Sequence, residues 1–260
     1  MKARLSITAK FILFALLCIG LVSCDRWDSR GRKMKRVVLA ANEVHNGWYF
    51  AAGDQVVIEG TVNGDAYVAG GVVRVGGTIN GDLLVAGGMV TVGGTVSDDI
   101  RAAGGVLRFN GRVGKNVSVA GGLVSVEKSA AITGNLLAAC GTIDVSGSVG
   151  KEAKFASGDA GITGTVKGNV AFTGNSLSVL HGAKLGGNVT ARVKDQDKQN
   201  VDIADGTVQG KVEILPLDVH DASRILGYRQ GAFWFKVVWA CSLLVTALVF
   251  VFLFPRQLKD

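Results

Sequence analysis

The amino-acid sequence predicts an all-β chain built as a single-stranded β-helix, a β-solenoid of about 17 residues per coil, with one transmembrane helix near the C-terminus. Three observations carry this expectation. The stretch from Gly60 to Ala191 repeats itself at almost constant spacing. Gly is abundant and Pro scarce, 37 residues against 2, which suits a chain that turns corners often. An apolar run closes the sequence from Phe233 to Phe254, 254 − 233 + 1 = 22 residues containing a single charge.

The repeat is read by setting Gly60-Thr61-Val62-Asn63-Gly64-Asp65-Ala66-Tyr67-Val68-Ala69-Gly70-Gly71 against Gly77-Thr78-Ile79-Asn80-Gly81-Asp82-Leu83-Leu84-Val85-Ala86-Gly87-Gly88, whose starts differ by 77 − 60 = 17. Its branched apolar position, Val62 and then Ile79, continues at Val96, Val113, Ile132, Val149, Val166 and Leu185, with two intervals of 19 and the rest of 17. A further copy, Val208-Gln209-Gly210-Lys211-Val212, follows a polar interruption. A fixed period this short marks a solenoid, in which each unit buries its apolar face only against its neighbours. Within a unit the apolar residues fall at Val62, Ala66, Val68, Val73 and Val75. Steps of two are strand alternation and the longer steps are corners, so each unit is one coil. Stacking then places Val62 over Ile79 over Val96, and Val75 over Val92 over Phe109 over Val126. At about 4.8 Å per strand the eight clearest coils make a rod roughly 40 Å long.

Six residues after Val68 stands Arg74, and 17 is not a multiple of six, which argues against the left-handed hexapeptide β-helix. The recurring pattern Gly-Thr-Val-x-Gly-Asp-hydrophobic, as in Gly60 to Ala66, with its Ala69-Gly70-Gly71 corner, resembles the bactofilin domain over roughly residues 48–212. That resemblance implies a right-handed β-helix that polymerises end to end without a nucleotide, here fused to a C-terminal membrane segment.

Taken in order, residues 1–24 read as a signal peptide. Lys2, Arg4 and Lys10 form its basic part, Phe11 to Leu21 its apolar core, and Leu21-Val22-Ser23-Cys24 resembles a bacterial lipobox, which makes Cys24 the expected lipidation site. An apolar core of that length is short for a span of about 20 residues. The other reading is an uncleaved anchor. In that case the basic residues after Cys24 would hold the solenoid in the cytoplasm. Asp25 resembles the residue that keeps lipoproteins at the inner membrane, which places the solenoid on the periplasmic side. Residues 25–47 form a basic linker. Much of the net charge of +7 gathers there in Arg26, Arg30, Arg32, Lys33, Lys35 and Arg36, with no alternating aromatics to make a nucleic-acid platform. Anionic lipid headgroups suit that run better.

Residues 48–215 are the β-helix. Trp48, Tyr49 and Phe50 gather at its N-terminal end, and Val212 and Ile214 at its C-terminal end. An open end of a β-stack offers unpaired backbone groups and is either capped or used for assembly. Pro216 cannot donate to another coil, which ends the solenoid. Residues 216–232 are a second linker. Residues 233–254 are the transmembrane helix, with Lys236 near its entry, placed to snorkel, and Trp234 and Trp239 suited to the interface.

One column could carry chemistry. Asp65, Asp82, Asp99, Asn116, Asn135, Glu152, Asn169 and Asn188 hold the same place in successive coils, and the first three are weak candidates for a cation. Asp and Asn are also ordinary corner residues, because their side chains bond nearby amides. Gly114-Lys115 and Gly150-Lys151 resemble the end of a phosphate loop, but neither has the preceding Gly nor the following Ser or Thr. His45, His181 and His220 are scattered, and Cys140 and Cys241 leave no evident disulfide partner. No enzyme, metal or cofactor is therefore expected. The expected function is a membrane-anchored structural scaffold whose partners are other copies of itself and membrane lipids, with no nucleic acid. The second expectation is an exported solenoid that binds envelope polysaccharide or protein along the side column Tyr67, Leu84, Arg101, Leu137 and Lys154.

Overall fold

The computed structural model describes residues 35–193 and 200–216, and in them the chain forms a parallel β-solenoid. The signal peptide with Cys24, most of the basic linker and the 233–254 segment lie outside the described residues. Among the described residues no helix is long and apolar enough to cross a membrane.

Each coil contributes one long and one short strand. In the second full coil the long strand is Ala66–Val75 and the short one Thr78–Ile79; in the next they are Leu83–Val92 and Thr95–Val96. Pairing runs Ala66↔Leu83 to Gly70↔Gly87, skips one residue, and resumes at Val72↔Met89. That skip bends each long strand into two limbs, so a coil has three sides. The limbs of all coils form a 12-stranded sheet and the short strands a 9-stranded one.

Alternation within these limbs fixes what is buried. Five inward columns run the length of the rod, and in the second full coil their members are Ala66, Val68, Val73, Val75 and Ile79, all essentially buried. Large and small residues compensate within a coil. Phe155 shares its coil with Ala153 and Ala160, Phe109 with Ala102, and Phe172 is followed one coil on by Ala191. Compensation is not uniform, since Phe172 shares its coil with Val170, Leu177 and Val179 and is relieved by the small residue of the next coil, as close packing requires. Each large apolar side chain so buried contributes about 1.5–3 kcal/mol.

The two 19-residue intervals have one local cause. Both insert two residues at the corner between the long and short strands, where the Ala130 amide donates to the Glu127 carbonyl at 2.8 Å and the Ala183 amide to the Leu180 carbonyl at 3.1 Å. In the second of these turns Gly182 has φ +95°, a left-handed conformation open to Gly.

The solenoid also begins earlier than its Trp48 boundary in the sequence reading. Arg36–Leu39 pairs in parallel with the second limb of Tyr49–Ile58, and Val44–Asn46 pairs with Thr61–Asn63. The Glu43 amide closes a turn onto the Ala40 carbonyl at 2.9 Å, which is the same corner insertion as in the two 19-residue intervals. At the other end the last described strand is Val212–Pro216, lying on Val189–Val193.

Candidate functional site: the two ends of the solenoid

The N-terminal end is stepped. Arg36–Leu39 covers only the second limb of the first full coil, and Val44–Asn46 only its short strand. The first limb, Tyr49 to Gly53, pairs with Ala66 to Gly70 on one side. On its other side no strand lies against it among the described residues. Tyr49 and Ala51 point into the core there, so Phe50 points out.

The three aromatics expected at this end have different surroundings. Trp48 is 61% exposed, and its carbonyl accepts a hydrogen bond from His45 Nε2 at 3.0 Å. Tyr49 meets the His45 ring edge-on at 5.2 Å between centroids. Its phenol is held above the ordinary value, first by burial and then by the Glu43 carboxylate. Phe50 is 62% exposed and stacks on Tyr67, with centroids 4.9 Å apart. His45 occupies the place above Val62 in the short-strand column. It caps that column with a ring, a role the sequence reading missed. The signal was present as Val37 and Leu39, 19 residues before Val56 and Ile58, but the basic run around them hid it.

The C-terminal end is stepped in the opposite sense. Val212–Pro216 adds a first limb, whereas the second limb ends one coil earlier at Val201–Ile203 and the short-strand column ends at Val208, bridged to Leu185. Val212 and Ile214 continue inward columns and are 44% and 39% exposed, because no described strand follows them. The amide of Val189 donates to the Lys211 carbonyl at 2.9 Å, showing how each first limb reaches forward to the next coil.

The acidic column lies between the ends and is a ladder. The Oδ1 of Asp65 accepts from the amide of Asp82 at 2.9 Å, that of Asp82 from the amide of Asp99 at 3.1 Å, and that of Asp99 from the amide of Asn116 at 3.0 Å. The same bond recurs from Asn116 to Asn135, Asn135 to Glu152, Asn169 to Asn188 and Asn188 to Lys211. Arg101 supplies the countercharge, reaching Asp82 at 3.3 Å and Asp99 at 3.1 Å. The described residues contain no group of three or more His, Cys, Asp or Glu placed to hold a metal ion. The Oδ1 atoms of Asp65, Asp82 and Asp99 are engaged in holding corners.

The remaining candidates are dispersed. Lys115 pairs with Asp98 at 2.8 Å on the surface, and that bond raises its ammonium above the usual value. Cys140 stands at the bend column between Gly121 and Ser157, and burial pushes its thiol up, away from thiolate reactivity. His181 is exposed in the Leu180–Ala183 turn, far along the chain from His45. Of the side column expected to meet a partner, Leu84 is buried rather than outward-exposed, whereas Leu137 is exposed; both border, with Arg101, Ser118 and neighbouring alanines, a shallow recess of about 300 Å³. The chain matches no protein-family model, no curated protein and no solved structure.

Proposed function

We propose that this chain is a non-enzymatic structural scaffold, bactofilin-like in build and right-handed in coil, which self-assembles end to end without a nucleotide and is held at the bacterial inner membrane. One observation carries the reading: both ends of the β-stack terminate in apolar columns and strand edges that no described strand covers, with Phe50 at one end and Ile214 at the other. Such edges are templates for another strand. Membrane attachment rests on the sequence of Cys24 and of residues 233–254, and the periplasmic side on the lipobox reading.

The test uses the full chain in detergent, with Phe50→Asp and Ile214→Asp as separate variants. Ile214→Asp sets a charge in an inward apolar column, and Phe50→Asp replaces the outward ring on the uncovered first limb by a charge, so both variants are expected to sediment as single copies while the parent sediments as polymers. Far-ultraviolet circular dichroism should be unchanged. Polymers that survive both substitutions would show that the end coils do not drive assembly.

The second reading, an exported solenoid that binds an envelope partner along its side, is favoured by the recess beside the exposed Leu137. Its lining is mostly aliphatic, with Arg101 and Ser118 and no aromatic ring, which suits a protein contact better than a sugar, since sugars stack on aromatic faces. Leu137→Asp separates the two readings, because it should leave end-to-end assembly intact.

A further inference from the structure

The two ends differ by one limb each, in opposite senses. At the N-terminal end the second limb and the short strand run one coil further than the first limb. At the C-terminal end the first limb, Val212–Pro216, runs one coil further than the other two sides. A piece missing at one end is the piece that projects at the other.

We infer that copies of this chain join head to tail through a shared coil, in which Val212–Pro216 of one copy supplies the first limb and Arg36–Leu39 with Val44–Asn46 of the next copy supply the other two sides. This deepens the end-to-end reading above and rests on it. Register settles the partners. Val212 falls against Tyr49 of the next copy and Ile214 against Ala51, while Val37 and Leu39 of that copy fall against Val201 and Ile203. Every inward column therefore continues across the joint as apolar on apolar, apart from His45, whose ring covers Val208. The forward-reaching amide of Val212 meets the Trp48 carbonyl of the next copy, as the amide of Val189 meets the Lys211 carbonyl within one copy. Backbone pairing and apolar burial are thus satisfied together.

Two-fold arrangements do not achieve this. Joining two N-terminal ends brings two missing limbs together and leaves a gap two strands wide on one side. Joining two C-terminal ends sets one projecting strand on another and holds the remaining sides apart.

Cross-linking decides the polarity. Ala52→Cys and Leu215→Cys are made as separate variants of the full chain, since Ala52 and Leu215 both sit at outward places and face each other across the proposed joint. After treatment with a short bis-maleimide, a mixture of the two variants should yield a linked pair that neither variant forms alone. Linkage of Ala52→Cys to itself, or of Leu215→Cys to itself, without the mixed product would overturn head-to-tail joining but leave end-to-end assembly standing. Absence of every linked product, with sedimentation as single copies, would overturn both.

Discussion

At the scale of single residues, the solenoid is held at its corners by side chains that point one coil forward. Asn116 shows this most fully, since its Oδ1 accepts from both the amide and the side-chain nitrogen of Asn135, at 2.9 and 3.0 Å. Asn116→Ala leaves the Asn135 amide without that acceptor, and the expected loss is about 1–3 kcal/mol, read from the urea midpoint. A corner glycine is less forgiving. A Cβ on Gly94 would be driven into the carbonyl of Gly77, a backbone atom that cannot step aside. Gly94→Ala is expected to destabilise by about 3 kcal/mol or more. Tyr49 adds a dependence on pH. Its folded phenol is raised above the ordinary value, so the folded state holds the proton more tightly than the unfolded chain. Its contribution is complete below about pH 10 and is lost as pH rises through the folded value. Tyr49→Phe should remove that part of the alkaline loss of stability, measured as urea midpoints across the same range. The acidic column was visible in the sequence because Asp65, Asp82 and Asp99 recur at 17 residues. Its use was not, because carboxylates that bind a cation and carboxylates that hold the next amide have the same spacing.

At the scale of the coil, the sequence was most informative, and the reason is periodicity. Steps of two at Ala66 and Val68, and again at Val73 and Val75, leave one arrangement that buries all four, and the register Ala66↔Leu83 and Val75↔Val92 follows. The bend at Gly70 and Gly71 was legible for the same reason. The first partial coil was not. Arg36 to Leu39 offers only two inward residues beside a run of basic ones, and its 19-residue offset departs from the dominant 17. The pattern there is too short to stand out from its flank. Packing within a coil predicts a clear mutational contrast. Phe172 is fully buried with Ala191 stacked behind it. Phe172→Ala is expected to cost about 3–5 kcal/mol in thermal or urea unfolding, because the neighbouring alanine cannot fill the space. An outward change in the same coil, Ala171→Ser, should shift the midpoint little.

At the scale of the whole molecule, the central property is that no described strand closes either end of the rod. Val212–Pro216 and the limb from Tyr49 are strand edges among the described residues, and the columns behind them stay apolar to the ends apart from His45 above Val62. On the reading proposed above, such a rod would grow by adding copies. Attachment to a membrane would align such a polymer along the envelope; it is checked by palmitate labelling of Cys24, which the Cys24→Ser variant should abolish. The length of the shared-coil repeat is fixed by the fold. The second-limb column runs from Val37 to Val201, nine rows from Arg36–Leu39 to Val170–Val179 and a tenth at Val201–Ile203. Ten rows at about 4.8 Å give an axial repeat of about 48 Å. The measurement that tests this most directly is electron microscopy of the full chain in detergent, with diffraction along the filament axis. Filaments with repeats at about 48 Å and about 4.8 Å are the expected result. Isolated particles of one rod length, or a repeat of about 96 Å from copies alternating in direction, would contradict it.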